Sequence, residues 1–284
     1  MNPESTAKVV PVPVLLPELT TTVLPSNGQL VVNETEELRT ASLAAMRANL
    51  ELNPAWVGAP PPTDDFLLMF LRCEVFRLDK AADRYRKFWK TKLALCGEDK
   101  AASPIKVEDV KEALDTEFCQ IVPGSRDREG RLVMLMNPGK VDKSIHRTVR
   151  ILAVWYVLFA GLEDVEAQRR GFCIVTNLKT AKISQADHRF DKMVVDSVQS
   201  TLPVRVGSIN ICYPQNSFRV VWALTSPFLH KRVKQRVHVI PGTDANVQKA
   251  LGDKIALEDL PQPMGAKPLD ISTWLAERAR SEGL

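Results

Sequence analysis

Residues 206–240, VGSINICYPQNSFRVVWALTSPFLHKRVKQRVHVI, contain the alternation that decides the fold. Val206–Cys212 and Val237–Ile240 are short runs rich in β-branched residues, and each predicts a strand. Between them lies an apolar helical stretch, Phe218–Thr225, and a dense basic segment follows Pro227. We expect two strands connected by helices.

The same alternation continues towards the N-terminus. Leu132–Met136 and Phe172–Thr176 are of strand length, whereas residues 144–168 and 185–201 have helical periodicity. Strands that alternate with helices at this spacing predict an α/β domain whose sheet is mostly parallel and covered by helices.

The first third of the chain predicts helices. Asn33, Thr63 and Asp79 each precede or begin a stretch with apolar residues at helical spacing, so we expect three helices there. Residues 1–33 contain five prolines and little periodicity, which is typical of a flexible leader. The predicted organisation is a leader at 1–33, a helical domain at 34–119, an α/β domain at 120–270 and a C-terminal helix at 271–284.

The charge is small overall but uneven along the chain. The 284 residues include 38 Lys plus Arg and 34 Asp plus Glu, and a net charge of +4 does not predict nucleic-acid binding. Residues 197–243 hold no acid and six bases, so the rest of the chain has 32 bases against 34 acids. The six bases are Arg205, Arg219, Lys231, Arg232, Lys234 and Arg236.

Motifs typical of enzymes and metal sites are missing from the sequence. It contains no GxSxG, HExxH, Walker A or GxGxxG pattern, its four His are dispersed, and its five Cys form no CxxC pair. We expect no catalysis, no metal and no cofactor. No basic n-region opens the chain, and the longest apolar stretch, around Ile151–Leu162, is shorter than the ~20 residues of a membrane span. These features predict a cytoplasmic protein with reduced thiols.

The segment from Phe218 to Arg236 has two interpretations. An apolar helix followed by a basic one suits a surface that dips into an anionic membrane. The same pattern also fits a core helix followed by a solvated basic helix, and the pattern alone favours neither.

Six motifs in the same order resemble those of the CRAL-TRIO family, the retinaldehyde-binding and tocopherol-transfer lineage of lipid carriers. The resemblance runs from about residue 34 to residue 266. The first resembles the family helix FLLRFLRARxF, and the others are similar to its GRPV, FPxK, IxxINxP, KPF and LPxEYGG motifs. In this chain they are Phe66–Phe76, Gly130–Val133, Leu202–Arg205, Ile209–Pro214, Pro227-Phe228 and Leu260–Gly265.

The resemblance implies a helical N-terminal domain and an α/β domain that encloses one hydrophobic ligand behind a mobile lid, here Tyr213–Arg236. The lid's inner face would be Phe218, Val221, Trp222 and Thr225. The other pocket walls would be Ile151, Val154, Trp155, Leu158, Val194, Val198, Ile209 and Ile211.

By the same resemblance, the protein would be a cytosolic carrier that moves a small hydrophobic lipid between membranes. The ligand would be a retinoid, a tocopherol-like molecule, a carotenoid or another lipid. The lid would release it at anionic membranes, which include phosphoinositide-containing ones. The expected membrane contacts are Arg205, Lys231, Arg232, Lys234 and Arg236.

Two departures from the family pattern bear on this function. Tocopherol carriers have small hydroxyl residues on the helix that is Val154–Leu158 here, and this face has none. Relatives that bind phosphoinositides have bases where this chain has Glu74 and Gly207, and these two residues favour the alternative of a scaffold or protein-binding module that no longer transfers lipid. A lipid-modifying enzyme ranks third, because no nucleophile motif is present.

Overall fold

The computed structural model describes residues 16–266 and 271–283, so residues 1–15 of the predicted leader lie outside the described residues. Two short strands follow, β1 (Thr21–Leu24) and β2 (Gln29–Val32), which pair antiparallel as a hairpin. The prediction of a flexible leader is therefore wrong for this stretch. The missed signal was Asn27-Gly28 between two short apolar runs, a pair that favours hairpin turns because Gly adopts positive φ, here +66°.

Five helices follow the hairpin. The first begins after Thr35, whose side chain accepts a hydrogen bond from the Leu38 backbone N–H, so the N-cap lies two residues beyond the predicted Asn33. Thr63 caps the second helix as predicted, by accepting from the Phe66 N–H. The five are α1 (Glu36–Leu52), α2 (Asp64–Cys73), α3 (Leu78–Cys96), α4 (Glu98–Ala101) and α5 (Val107–Leu114).

The second half of the molecule is built on a five-stranded sheet with strands in chain order. The first strand is antiparallel to its neighbour, and the other pairs are parallel, which confirms the predicted mixed α/β fold. The strands are β3 (Cys119–Arg126), β4 (Leu132–Met136), β5 (Phe172–Asn177), β6 (Val206–Cys212) and β7 (Val237–Ile240).

The strand β3 was not predicted from the sequence. Pro123 and Gly124 interrupt its apolar pattern, and Gly124 has a φ of +74°. Both residue types are tolerated because β3 is an edge strand, and its register shifts between Ile121 and Arg126.

Seven helices connect the strands and end the described chain. The predicted helix at 144–168 is two helices, because Asp164 caps the second by accepting from the Glu166 N–H. The predicted helix at 185–201 ends in a π-helical turn at Ser197–Thr201. The helices are α6 (Arg147–Leu162), α7 (Val165–Arg170), α8 (His188–Asp196), α9 (Phe218–Thr225), α10 (Lys231–Lys234), α11 (Asp244–Gly252) and α12 (Ile271–Ser281).

Candidate functional site

The two faces of the sheet differ in how completely they are packed. On the outer face, Val133, Cys173 and Val175 are fully buried in a cluster with Val247 and Leu251 of α11. Because side chains alternate along a strand, the neighbours of these residues point to the opposite, inner face. At the carboxyl-terminal end of that face the side chains are only half-buried, namely Met136, Ile174, Thr176 and Ile209.

The inner face is therefore an apolar surface that the protein's own packing leaves partly accessible. Val149 and Leu152 of α6 and Met193 of α8 are half-buried in the same way and pack against the edge of the main core. These three residues, like Met136 and Ile174, were not among the site residues predicted from the sequence. Their signal was the period-two alternation of β4 and β5, read together with Ile209 on β6.

The predicted pocket wall on α6 lies deeper than expected. Ile151, Val154, Trp155 and Leu158 are at most 1% exposed. The Trp155 ring stacks on Phe88 of α3 with centroids 5.6 Å apart, and its indole N–H donates to the Ser197 hydroxyl at 2.8 Å. The structure places these four residues in the main core, which joins α6 to the N-terminal helices.

The predicted residues on β6 and α8 lie closer to the accessible surface. Ile209 is half-buried on β6, and Ile211, two residues further along the same face, is buried at 8% exposure. Val194 and Val198 are half-buried and pack against the main core from α8 and the turn that follows it.

The helix α9 has two unlike faces. Phe218, Val221, Trp222 and Thr225 are half-buried, and the rings of Phe218 and Trp222 lie 5.9 Å apart. The opposite face is solvent-exposed and includes Val220 at 53% and Leu224 at 54%. No residue of α9, all of which the structure describes, is fully buried, and none belongs to either packed core.

The residues that directly follow α9 contact α8 and the π-helical turn after it. Phe228 packs against His188, with ring centroids 5.2 Å apart, and under the Lys192 ammonium. The Gln199 side chain donates to the Phe228 carbonyl at 2.9 Å and accepts from the His230 N–H at 2.6 Å. Few buried contacts therefore hold α9 to the rest of the protein, and segments with few buried contacts have low local stability.

The five predicted membrane-contact bases divide into two groups. Arg205 donates to the backbone carbonyls of Arg169 and Leu30, and burial lowers the pKa of its guanidinium to about 10. Arg236 donates to the Val206 carbonyl, and burial, followed by nearby Arg131, lowers its pKa.

The second group is exposed. Lys231, Arg232 and Lys234 lie on α10, and no carboxylate of the described residues is within ion-pair distance of them. These three are the cations of the predicted set that remain free to meet an external anion.

A large polar cleft of about 1550 Å³ lies between the hairpin, the start of α3 and the start of β6. Bases and acids both line it, so it does not resemble the apolar inner face. The charged residues at its walls include Arg77, Lys80, Arg84, Asp127, Glu129, Arg131, Arg232 and Lys254.

Within residues 16–266 and 271–283, no helix is both long and apolar enough to cross a bilayer. In the same residues no three side chains of His, Cys, Asp or Glu are arranged to hold a metal. The five cysteines are all unpaired thiols, four of them buried.

The family model of the CRAL/TRIO domain matches residues 115–265, from the start of β3 to beyond α11. The chain belongs to this family. Its members typically bind lipophilic ligands. The match confirms the resemblance drawn from the six motifs.

Among curated proteins, the mouse alpha-tocopherol transfer protein-like protein is 26% identical over 231 residues, which cover 77% of this chain and 63% of that protein. The human tyrosine-protein phosphatase non-receptor type 9 is 22% identical over 133 residues, which cover 46% of this chain and 21% of the phosphatase. The chain thus spans less than two thirds of the length of either relative. The crystal structure of Sfh5 aligns with a TM-score of 0.48 at 10% identity, covering 72% of this chain and 77% of that one.

Both departures from the CRAL-TRIO basic pattern have intramolecular explanations. Glu74 forms ion pairs with Arg84 at 2.7 Å and Arg77 at 3.2 Å, so its charge is balanced within the fold. At Gly207, a Cβ would lie 2.1 Å from Nε of Arg131, and the Gly207 carbonyl accepts from the Asn27 side chain. A basic side chain at position 207 would displace Arg131 and disturb the contact between β6 and the hairpin.

Proposed function

We propose that the protein binds a small hydrophobic lipid between the inner face of the sheet and α9, and transfers it between membranes. The observations that carry the proposal are the half-buried apolar surface of Met136, Ile174 and Ile209 and the half-buried apolar face of α9, which belongs to neither packed core. Burial of a ligand there contributes roughly 25 cal/mol per Å² of apolar surface, before ordering costs. Binding and release make and break no covalent bond.

Retinoids, tocopherol-like molecules and carotenoids are candidate ligands, since the proposed site is lined by aliphatic and aromatic side chains. Opening of α9 would set the rate of transfer, because the ligand leaves through the space that α9 covers. The family membership and the weak packing of α9 support this gating role.

We further propose that α9 and α10 are the surface that meets an anionic membrane in the cytoplasm, transiently and at the bilayer surface. Val220 and Leu224 are large apolar side chains exposed on the outer face of α9, and the free bases of α10 follow a few residues later. Each base near an anionic surface contributes about 1 kcal/mol.

A diffuse attraction fits the charges better than a headgroup clamp. Arg205 and Arg236 already donate to backbone carbonyls, and Glu74 brings a carboxylate to the cleft. Phosphoinositide-containing membranes are among the anionic surfaces that Lys231, Arg232 and Lys234 would attract.

Substitutions on the two faces of α9 test the proposal separately. The double variant Phe218→Asp with Trp222→Asp should lose bound lipid in native mass spectrometry, because it places charges on the inner face. The matched control, Val220→Asp with Leu224→Asp, adds the same charges to the outer face. It should keep the lipid and lose flotation with anionic liposomes.

Equal lipid retention in the two folded double variants would contradict the proposed site. Circular dichroism and melting temperature identify which variants are folded. Protein purified from its own cells should carry a lipid of defined mass.

The alternative of a scaffold that no longer transfers lipid was favoured in the sequence by Glu74 and Gly207. In the structure both residues have partners inside the chain, so they no longer favour it. Native protein that carries no lipid, and takes none up from liposomes, would revive this alternative.

A further inference from the structure

An acidic side chain lies on the face of α8 that borders the proposed lipid site. Asp191 precedes Val194 by three residues within α8, and residues at this spacing share one face of a helix. Val194 and Val198 are half-buried against the main core, and Asp191 is half-buried beside them. A carboxyl group on an otherwise apolar face requires a polar partner or a functional explanation.

The neighbouring charges leave Asp191 without a partner. Arg147 and Arg150 of α6 both pair with Asp187, at 3.1 and 2.9 Å. In the described part of the chain, no hydrogen bond or ion pair to the Asp191 carboxyl is formed. The charged and titratable groups around it are Asp187 and His188 on α8 and Arg150 on α6. Burial, and then the Asp187 carboxylate, raise the pKa of Asp191 to about 6.

A second unpartnered polar group lies on the lid. The Thr225 hydroxyl, on the inner face of α9, is buried and makes no hydrogen bond with any described residue. Phe228, one helical turn further on, packs against His188 and Lys192, which flank Asp191 in the sequence. The end of the lid that carries Thr225 is thereby seated on the turn of α8 that carries Asp191.

We propose that Asp191 and Thr225 form the polar end of the lipid site, and that this end takes the hydroxyl group of a lipid alcohol and rejects lipids with an anionic head. The proposal rests on the proposed function, because it concerns the same site. Thr225 is one of the predicted lid residues, whereas Asp191 was not singled out from the sequence.

A hydroxyl group has the chemistry to pair with both polar groups. It can donate its hydrogen to the Asp191 carboxylate and accept the hydrogen of the Thr225 hydroxyl, so that neither stays unpaired. A fatty acid or phosphate head would place a second negative charge beside a half-buried carboxylate in surroundings of low dielectric. A site with a buried polar group discriminates strongly between ligands that can and cannot pair with it.

The test uses two probes with the same hydrocarbon chain, oleyl alcohol and oleic acid, bound to the full-length protein at pH 8 and followed by quenching of tryptophan fluorescence. We expect the wild type to bind the alcohol at least about tenfold more tightly than the acid. Asp191→Asn should reduce this ratio to about threefold or less, mainly by strengthening binding of the acid.

The control is Asp196→Asn, which removes the same charge from the same helix. Asp196 pairs with Lys192 and its carboxylate is 50% exposed, so this variant should keep the wild-type ratio. Thr225→Val should weaken binding of the alcohol and leave binding of the acid unchanged, because it removes the hydroxyl without altering the charge or the side-chain shape.

Four results would overturn the proposal. Equal binding of both probes by the wild type would show that the site does not read the head group. An unchanged ratio in folded Asp191→Asn would show that Asp191 is not responsible. Tighter binding of oleylamine than of oleyl alcohol would show that the site takes a cationic head group rather than a hydroxyl group. Binding of neither oleyl probe would overturn the proposed function as well, which separates the two failures.

Discussion

The two faces of the central sheet are packed differently, although the same strands form both. On the outer face, Val133, Cys173 and Val175 are fully buried against α11. On the inner face, Met136 and Ile174 alternate with them along the same strands and remain half-buried. Packing is thus completed on one side, which supports the fold, and left incomplete on the other, where an apolar surface stays partly accessible.

Adjacent residues on β4 provide the largest test of this difference. Leu135 faces outwards and is 1% exposed, whereas Met136 faces inwards. Leu135→Ala should lower the free energy of unfolding by about 2–5 kcal/mol, because it leaves a cavity in a packed core. Met136→Ala should cost clearly less. Urea denaturation measures both, and equal losses would show that the two faces are packed alike.

A second test concerns the bases. Arg205→Ala removes two hydrogen bonds to carbonyls, one of them at Leu30 in the hairpin, and should cost about 1–3 kcal/mol. Amide hydrogen exchange in β1 and β2 should become faster. Arg232→Ala, on the exposed α10, is the control and should leave both measurements unchanged. A hairpin that exchanges at the same rate in both variants would contradict the structural role of Arg205.

The pH dependence of stability tests whether the Asp191 carboxyl is buried beside the inner face of the sheet. The pKa of Asp191 is raised to about 6 from its ordinary value of 3.8, so the fold favours its protonated form. Wild-type stability should therefore fall as the pH rises from about 4 to 6. Asp191→Asn should be more stable than the wild type at pH 8 by about 1–2 kcal/mol, since partial exposure screens the penalty.

The contribution of Asp187 to stability has the opposite sign. Burial alone would raise its pKa, but hydrogen bonds from Arg147, the Phe190 N–H and Arg150 outweigh burial and lower the pKa to about 2. Stability from this group is lost as the pH falls from about 4 towards 2. Melting curves from pH 3 to 8 distinguish the two carboxyls. No difference between wild type and Asp191→Asn at any pH would contradict the burial of Asp191.

The smallest effect on stability is expected from the free bases. Lys231→Glu with Lys234→Glu should change the free energy of unfolding by no more than about 0.5 kcal/mol, because exposed charges without partners contribute little. The same variant should bind anionic liposomes more weakly, and the difference should shrink as salt is added. Unchanged liposome binding at low salt would show that α10 is not part of the surface that contacts the membrane.

The sequence predicted the regular elements well where periodicity was strong. Four of the five strands of the large sheet follow from spacing alone, whereas the inner face of α9 was implied by the family resemblance. The edge strand β3 was missed because Pro123 and Gly124 mask its pattern, and the hairpin was missed because its prolines suggested a linker.

The candidate site was predicted less completely, for a physical reason. Periodicity identifies which residues are apolar, but burial depends on what packs against them. Trp155 was expected to line a pocket, yet Phe88 from a different part of the chain stacks on it. The partners of Glu74 and Gly207 also come from tertiary contacts that spacing does not show.

The most direct measurement of the central claim is photo-crosslinking with a diazirine-bearing lipid alcohol, followed by peptide mass spectrometry. The account predicts labels on the inner side, at residues such as Met136, Leu152 and Trp222, and competition by unlabelled lipid. Labels confined to α11 on the outer face, or to the polar cleft around Arg131, would contradict it.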